Sequence, residues 1–386
     1  MNRPLKLAVI AGEVSGDILG GDLVAAIRRS GRDVELFGVG GDRLQREGLK
    51  SLFDFSELSV MGIADVLAKL PSLVGRIRQT AAAIIAERPD ALLIIDSPDF
   101  THRVAKRVRK LLPDLPVIQY VCPSVWAWKE YRAQAMLDYV DLVLAVLPFE
   151  PAVMHRLGGP KTLYVGHRLS ADPDILRVRA ARESREPGSA PTILLLPGSR
   201  SSEIKRLGDV MGQAAAEIAA RHPGTKFLLP AVARQKELIR QTISTWSVAP
   251  ACETGDAFKW DAFARADAAI AASGTVILEL AMAGVPTVSI YRTDPIVKFL
   301  ASRIKIWSAA LPNLIADYPV IPEYINDLLR PAAPVRWVER LIADTPQRAA
   351  MLAGYRDVWN RMSVSRPSGE LAASAILDLL DTKKPA

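Results

Sequence analysis

Two carboxylates three residues apart, Asp96 and Asp99, stand where a strongly apolar run ends, in Ile95-Asp96-Ser97-Pro98-Asp99-Phe100. A carboxylate at the C-terminal edge of a strand can take a proton from a hydroxyl group. It can equally cap the helix that follows. Asp96 reads as the cap or a structural residue and Asp99 as the base, and the residues alone leave that split open. A second chemistry is anion binding. Leu196-Pro197-Gly198-Ser199-Arg200-Ser201-Ser202-Glu203 is a small-residue loop between a strand and a helix. Gly198 and Ser199 let backbone N–H groups approach phosphate, Arg200 adds a planar fork of charge, and Glu203 closes the motif. A Walker loop is excluded, because Gly-Lys-Ser/Thr is missing. Ser273-Gly274-Thr275 opens another helix, and Glu279 lies one turn on, over Thr275. A helix start attracts anions, and a carboxylate one turn inside can accept both hydroxyls of a ribose. A further glycine turn, Gly12-Glu13-Val14-Ser15-Gly16, sets Glu13 and Ser15 at the end of the first strand. Its glycine spacing is not the dinucleotide fingerprint.

The elements that must position these loops alternate along the chain. Apolar runs at 5–11, 34–38, 91–95, 117–121 and 142–146 read as buried strands, with helical patterns at 16–29, 104–112 and 126–137. Residues 170–191 hold three prolines and no apolar period, which reads as an interdomain connection. The alternation then resumes, with strands at 192–196, 226–229, 268–271 and 287–291 and helices at 202–220, 235–245 and 275–283. The expectation is an α/β protein of two tandem doubly wound Rossmann-like domains, 1–166 and 167–356, with the ligand in an interdomain cleft. Residues 346–381 read as two helices broken at Pro367, with 357–386 packing back on the first domain or on a partner.

Composition narrows the partners. With 49 Lys and Arg against 42 Asp and Glu the net charge is +7, which suits phosphate-bearing substrates or acidic lipid. Nucleic acid is the weakest partner, since the basic residues are scattered and no binding motif is present. Cys122 and Cys252, the two cysteines, make neither a disulfide framework nor a zinc spacing. No metal or cofactor is expected. Asp172-Pro173-Asp174 has the spacing of a metal-binding pair but lies in the expected connection, where a solvated turn suffices. The first ten residues do not read as a signal peptide, and no run is long enough to span a bilayer. The stretch 60–85, with Lys69, Arg76 and Arg78, is an amphipathic helix covering a sheet or a segment resting on a membrane surface. Trp126 and Trp128 cannot share a helix face, so one is core and the other faces a cleft or lipid, with core the commoner role for both.

Taken in order, the segments AGEVSGD (11–17), VMG (60–62), IDSPDF (95–100), CPSVWAWK (122–129), LPFE (147–150), VGH (165–167), LPGSR with Glu203, SGT with Glu279 and LPN (311–313) resemble the lipid-A-disaccharide synthases. The resemblance runs from about residue 7 to residue 330. It implies a GT-B fold and an inverting transfer between UDP-2,3-diacylglucosamine and 2,3-diacylglucosamine 1-phosphate. The products are a β-1,6-linked tetraacyl disaccharide 1-phosphate and UDP. It also implies work at the cytoplasmic face of the inner membrane of a Gram-negative cell, and a homodimer with exchanged C-terminal parts. Residues 1–166 then serve the acceptor and the membrane, and 167–356 the UDP-sugar. By match to the motifs Asp99 is the base and Arg200 meets the diphosphate. Glu13, Ser15, Ser273, Gly274, Thr275, Glu279 and Asn313 line the donor site. Cys122 stands where relatives carry serine, and Asn326 where glutamine is common. Two rival readings remain. One is another UDP-sugar enzyme of this architecture, an N-acetylglucosamine transferase or a 2-epimerase. The other is a nonenzymatic lipid- or nucleotide-binding protein that needs neither Asp99 nor Arg200.

Overall fold

Strands that are apolar on both faces need cover on both faces, and helices between parallel strands supply it. The computed structural model describes residues 3–58, 63–184, 190–293 and 305–382, apart from the side chains of 63–70. It divides into two compact units, Met1–Arg168 with Val364–Ala386, and Leu169–Ser363.

The first unit is built on strands β1 (Leu5–Ala11), β2 (Val34–Val39), β3 (Lys50–Ser51), β4 (Ala91–Ile95), β5 (Val117–Tyr120), β6 (Leu142–Ala145) and β7 (Thr162–Tyr164). They form one sheet in the order β3-β2-β1-β4-β5-β6-β7. Side chains alternate across it. Leu7, Val9 and Ala11 of β1 meet Leu23, Val24 and Ile27 of helix Val14–Arg29, and Ala372, Ala373 and Ile376 of helix Ser368–Thr382 join that side. Ala8 and Ile10 meet Ile77, Ala81 and Ile84 of helix Ile63–Glu87 and Val104 and Val108 of helix Pro98–Leu111.

The second unit repeats the plan. Its strands are β8 (Thr192–Leu196), β9 (Lys226–Ala231), β10 (Ala251–Thr254), β11 (Ala268–Ala272), β12 (Thr287–Tyr291) and β13 (Glu323–Ile325). Their order is β10-β9-β8-β11-β12-β13. In each sheet the strand order reverses once, between β1 and β4 and between β8 and β11. The registers are level there, with Ala11 beside Ile95 and Leu196 beside Ala271. The loops leaving those four strands therefore emerge side by side, two to a unit, at the place where open α/β sheets bind ligands.

Two local expectations change, and a third, the covering helix over 60–85, is met by helix Ile63–Glu87, which packs Ile77, Ala81 and Ile84 on the sheet. The interval 170–191 is not an unstructured connection, because it holds helix Pro173–Glu183. Asp172 caps that helix by accepting from the backbone N–H groups of Asp174 and Ile175, at 3.0 and 3.4 Å. Only Ile175 and Val178 are buried from it, and Arg182 docks it by donating to the carbonyls of Phe263, Ala266 and Gly284. Hydrogen bonds replace the apolar stripe that sequence periodicity looks for. In 126–137 the helix is only Tyr131–Ala135, because turns at Pro123–Ser124 and a left-handed Lys129, at φ 57°, delay its start. In 60–85, Val60-Met61-Gly62 and the side chain of Lys69 lie outside the described residues. Arg76 forks onto Glu57 at 2.9 and 2.7 Å and lies 4.6 Å from the Phe53 ring centroid, so it faces protein, whereas Arg78 is exposed. Among the described residues no helix is long and apolar enough to cross a membrane.

Helix Ser368–Thr382 covers one side of the first sheet, and Ile376, 1% exposed, is its largest buried side chain. Ile376→Ala is expected to cost about 2–5 kcal/mol of unfolding free energy in a urea titration. A cost below about 0.5 kcal/mol, the range of an ordinary surface change, would show that the helix is undocked in solution.

Candidate active site

At the crossover of the first sheet, Asp96 is turned inward. Its Oδ1 accepts from the backbone N–H of Gly12, 3.0 Å away across the β1–β4 pair. Its Oδ2 is buried against Gly16 without a hydrogen bond of good geometry. A Cβ at Gly16 would stand 2.0 Å from that oxygen, so only glycine permits the approach. Burial, followed by the nearby Glu13 carboxylate, pushes the Asp96 pKa up to about 7. Asp96 and Ser97 both have positive φ, at 49° and 39°, and helix Pro98–Leu111 begins without a side-chain cap. Of the two expectations for Asp96, cap or structural residue, the cap is therefore corrected: its carboxylate is committed to the neighbouring strand's loop. Asp99, in the first turn of the same helix, faces outward with 84% of its side chain exposed and Arg132 Nη2 3.3 Å away. Glu13 and Ser15 are exposed at the end of β1.

The helix that carries Asp99 is fixed from behind. His102, three residues on, is buried, and its Nε2 donates to Gln119 Oε1 at 3.0 Å. Its Nδ1 accepts from Tyr139 Oη at 3.1 Å, and the Gln119 amide donates to the carbonyls of Tyr120 and Val121. Every partner in this chain is satisfied with a neutral imidazole, and burial lowers the His102 pKa to about 4. Val121 leaves β5 at φ 70°, which is strained for a β-branched residue and is held by that amide. Trp126 donates to the buried Glu150 at 3.2 Å and stacks edge-on against Phe149, so the CPSVWAWK and LPFE segments form one structural unit. Burial raises the Glu150 pKa to about 7.

The crossover of the second sheet is open. A cavity of about 630 Å³ is lined by Gly198, Ser199, Arg200 and Glu203 from the loop after β8 and by Ser273, Gly274, Thr275 and Glu279 from the loop after β11. Gly255, Asp256 and Lys259 after β10 complete it. The first turns of helices Ser201–Arg221, Asp256–Arg265 and Thr275–Ala283 thus share one volume. Their positive ends favour an anion. The side chains alone do not: Arg200 and Lys259 are outnumbered by Glu203, Asp256 and Glu279. Glu203 has a second task. Its Oε2 accepts from the N–H groups of Ser199 and Arg200, at 3.1 and 3.2 Å, and its Oε1 lies 3.3 Å from Arg200 Nη1. Those two N–H groups face their own helix, and Arg200, 65% exposed, is the reaching group of the loop. Gly198, at φ 109°, makes the turn.

Eight of the nine residues that sequence reading assigned to this second region therefore converge, and Asn313 does not. It is 2% exposed; its carboxamide donates to Ser308 and the Ile321 carbonyl and accepts from the N–H groups of Val320 and Ile321. It pins a turn in the interior. Asn326 accepts from the N–H and hydroxyl of Thr293. Lys259 was missed. The available signal was Thr254-Gly255-Asp256, a glycine turn into a helix like the two that were recognised.

A family model for lipid-A-disaccharide synthetase matches residues 7–345. The lipid-A-disaccharide synthase of Nitrobacter winogradskyi is 43% identical over 382 residues, covering 98% of this chain and 96% of that protein. Among solved structures, S. aureus MnaA in its co-structure with UDP superposes with a TM-score of 0.61 at 14% identity, covering 99% of each chain. CalG4, the calicheamicin glycosyltransferase, does so at 0.60 and 18%, covering 100% of each. At these identities the structures establish the fold, the GT-B architecture of two α/β units.

Two outcomes follow from the site's geometry. Among the described residues nothing lies within 4 Å of a Cβ built at Gly274, and its φ of 161° is extended backbone. Gly274→Val is expected to cost no more than about 1 kcal/mol of stability, the scale of a helix-cap change. It should weaken nucleotide binding by about tenfold or more in calorimetry, since the added methyls enter the cavity. Unchanged affinity would remove this loop from the ligand's path. For Asp96, the folded pKa lies above the ordinary carboxylate value of 3.8. Its contribution to stability is therefore full below that value and lost as pH rises through about 7. Asp96→Asn should gain on the wild type between pH 5 and pH 8 in urea midpoints, and parallel curves would contradict the burial argument.

Proposed function

The chain belongs to the lipid-A-disaccharide synthetase family, and from that premise we propose that its second unit holds the UDP-sugar donor while its first supplies the base. The enzyme is a glycosyltransferase of GT-B fold. It transfers the diacylglucosamine of UDP-2,3-diacylglucosamine to 2,3-diacylglucosamine 1-phosphate, forming the β-1,6-linked tetraacyl disaccharide 1-phosphate and UDP.

The observation that carries the division of labour is the cavity of the second unit, where Gly198–Arg200 and Ser273–Glu279 meet. Its volume is in the ordinary range for small ligands. The donor's diphosphate lies at the three helix starts with Arg200 as the mobile counter-charge, and Glu279 accepts the ribose hydroxyls. In the reaction the acceptor's 6-hydroxyl loses its proton to a carboxylate. Its oxygen attacks the anomeric carbon from the face opposite the leaving group, and the bond to UDP breaks with inversion. Negative charge then grows on the β-phosphate, where fixed dipoles and Arg200 stabilise it most. Asp99 is the base in this reading. It is exposed and within a hydrogen bond's reach of solvent, whereas Asp96 is committed to Gly12. Glu13 and Ser15, exposed beside it, line the approach of the sugars.

The acylated substrates and the net charge of +7 support work on an acidic lipid surface, with the enzyme peripheral at the cytoplasmic face of the inner membrane. A 2-epimerase is not favoured. None of the four histidines lines the cavity, and His102 is locked between Gln119 and Tyr139.

The test combines purified enzyme with UDP-2,3-diacylglucosamine and 2,3-diacylglucosamine 1-phosphate and follows UDP and the tetraacyl disaccharide by mass spectrometry. Both should appear only with acceptor present. Asp99→Asn should lower turnover by at least about a hundredfold, the usual span of general-base catalysis, with UDP affinity intact. Full activity in that variant, or loss of UDP binding, would move the base elsewhere.

A further inference from the structure

Lys259 is the cavity residue that no motif announced, and its surroundings are specific. Its Nζ lies 2.6 Å from Glu279 Oε2, with both side chains largely sheltered at 26% and 21% exposure. The ammonium also sits 4.4 Å from the ring centroid of Trp260 and 5.6 Å from that of Phe263. Both rings are buried in the core of the second unit. A lysine stem is flexible and ordinarily loses its ion pair to water. Here two fixed aromatic faces and partial shelter restrain it, which raises the worth of the contact above that of a surface pair. No described residue donates to the other carboxylate oxygen, Oε1.

We propose that Lys259 is a positioning residue for the nucleotide's ribose. By holding Oε2 it turns Oε1 of Glu279 toward the cavity as the acceptor for the 2′- and 3′-hydroxyls, and so sets a preference for ribose over 2′-deoxyribose. The proposal rests on the reading of this cavity as the UDP site. A second effect follows from charge. A diphosphate and an unpaired carboxylate repel each other within one sheltered volume, and Lys259 neutralises Glu279 without standing in the ligand's path. Truncating the lysine leaves a carboxylate that is both free to rotate and repulsive. Arginine at this position keeps the charge and reaches the same oxygen.

The experiment measures UDP and 2′-deoxy-UDP binding by calorimetry in the intact enzyme and its Lys259→Met, Lys259→Arg and Glu279→Gln variants, with thermal midpoints as a folding control. The wild type should prefer UDP. Lys259→Met should lose about tenfold in UDP affinity, as for a lost charge-assisted contact, and its preference should shrink to that of Glu279→Gln. Lys259→Arg should recover most of it. At saturating donor, kcat in Lys259→Met should stay near the wild-type value while KM for the donor rises, a split that a general structural defect would not give. If Lys259→Met does not fold, Lys259→Gln, which keeps a polar stem, is read in its place. A preference that survives truncation of Lys259 but not Glu279→Gln overturns the role of Lys259 and leaves the site standing. An equal loss for both nucleotides also overturns it, placing the lysine on phosphate. A preference that survives Glu279→Gln overturns the ribose assignment itself.

Discussion

A parallel sheet cannot leave either face in water, and that requirement organises everything else in this chain. Each strand must be followed by a helix that crosses over the sheet, so strand ends all point one way and loops collect on one edge. Where the winding reverses, between β1 and β4 and again between β8 and β11, neighbouring crossovers go to opposite faces and no helix fills the gap. Functional groups gather at these two places because the covering rule leaves backbone accessible there.

The two crossovers share a topology and differ in chemistry. In the first, the space is taken up by the protein itself: Asp96 fills it, with Gly12 and Gly16 brought close enough to enclose the carboxylate. Asp99, the proposed base, stands outside it, on the first turn of the following helix. In the second, none of the described residues enters above Gly274, and the helix starts remain available to a ligand. One unit therefore spends its crossover on rigidity, with Asp99 exposed at its rim, while the other leaves a cavity at its crossover.

The interior strands were legible because burial on both faces writes an uninterrupted apolar run, as in Ala91–Ile95 and Thr192–Leu196. The strands that sequence reading passed over, β3, β7, β10 and β13, are the four sheet edges, of two to four residues each. An edge strand has one neighbour, partial exposure and no such run, so periodicity is silent about it. The glycine loops were readable for a related reason, since a turn into a helix has a fixed local chemistry. The roles of single side chains were less so. Asn313 and Lys259 are both polar residues near helix starts, and only the tertiary structure shows that one is pinned inside and the other faces a cavity. Asp96 and Asp99 differ by three positions, and a left-handed kink at Asp96 and Ser97 decides which of them points out.

The last helix of the chain, Ser368–Thr382, belongs to the unit that contains the first strand, with the whole of Leu169–Ser363 lying between them in sequence. A ribosome releases the chain from its N-terminus, so the first unit emerges long before its own cover does. Until residues 368–382 are made, Leu23, Val24 and Ile27 lack the apolar neighbours Ala372, Ala373 and Ile376. The second unit, continuous in sequence, can complete its fold earlier than the unit made before it. Native assembly of the first unit thus waits for the synthesis of the whole of the second, and an apolar nascent surface stands uncovered in the interval.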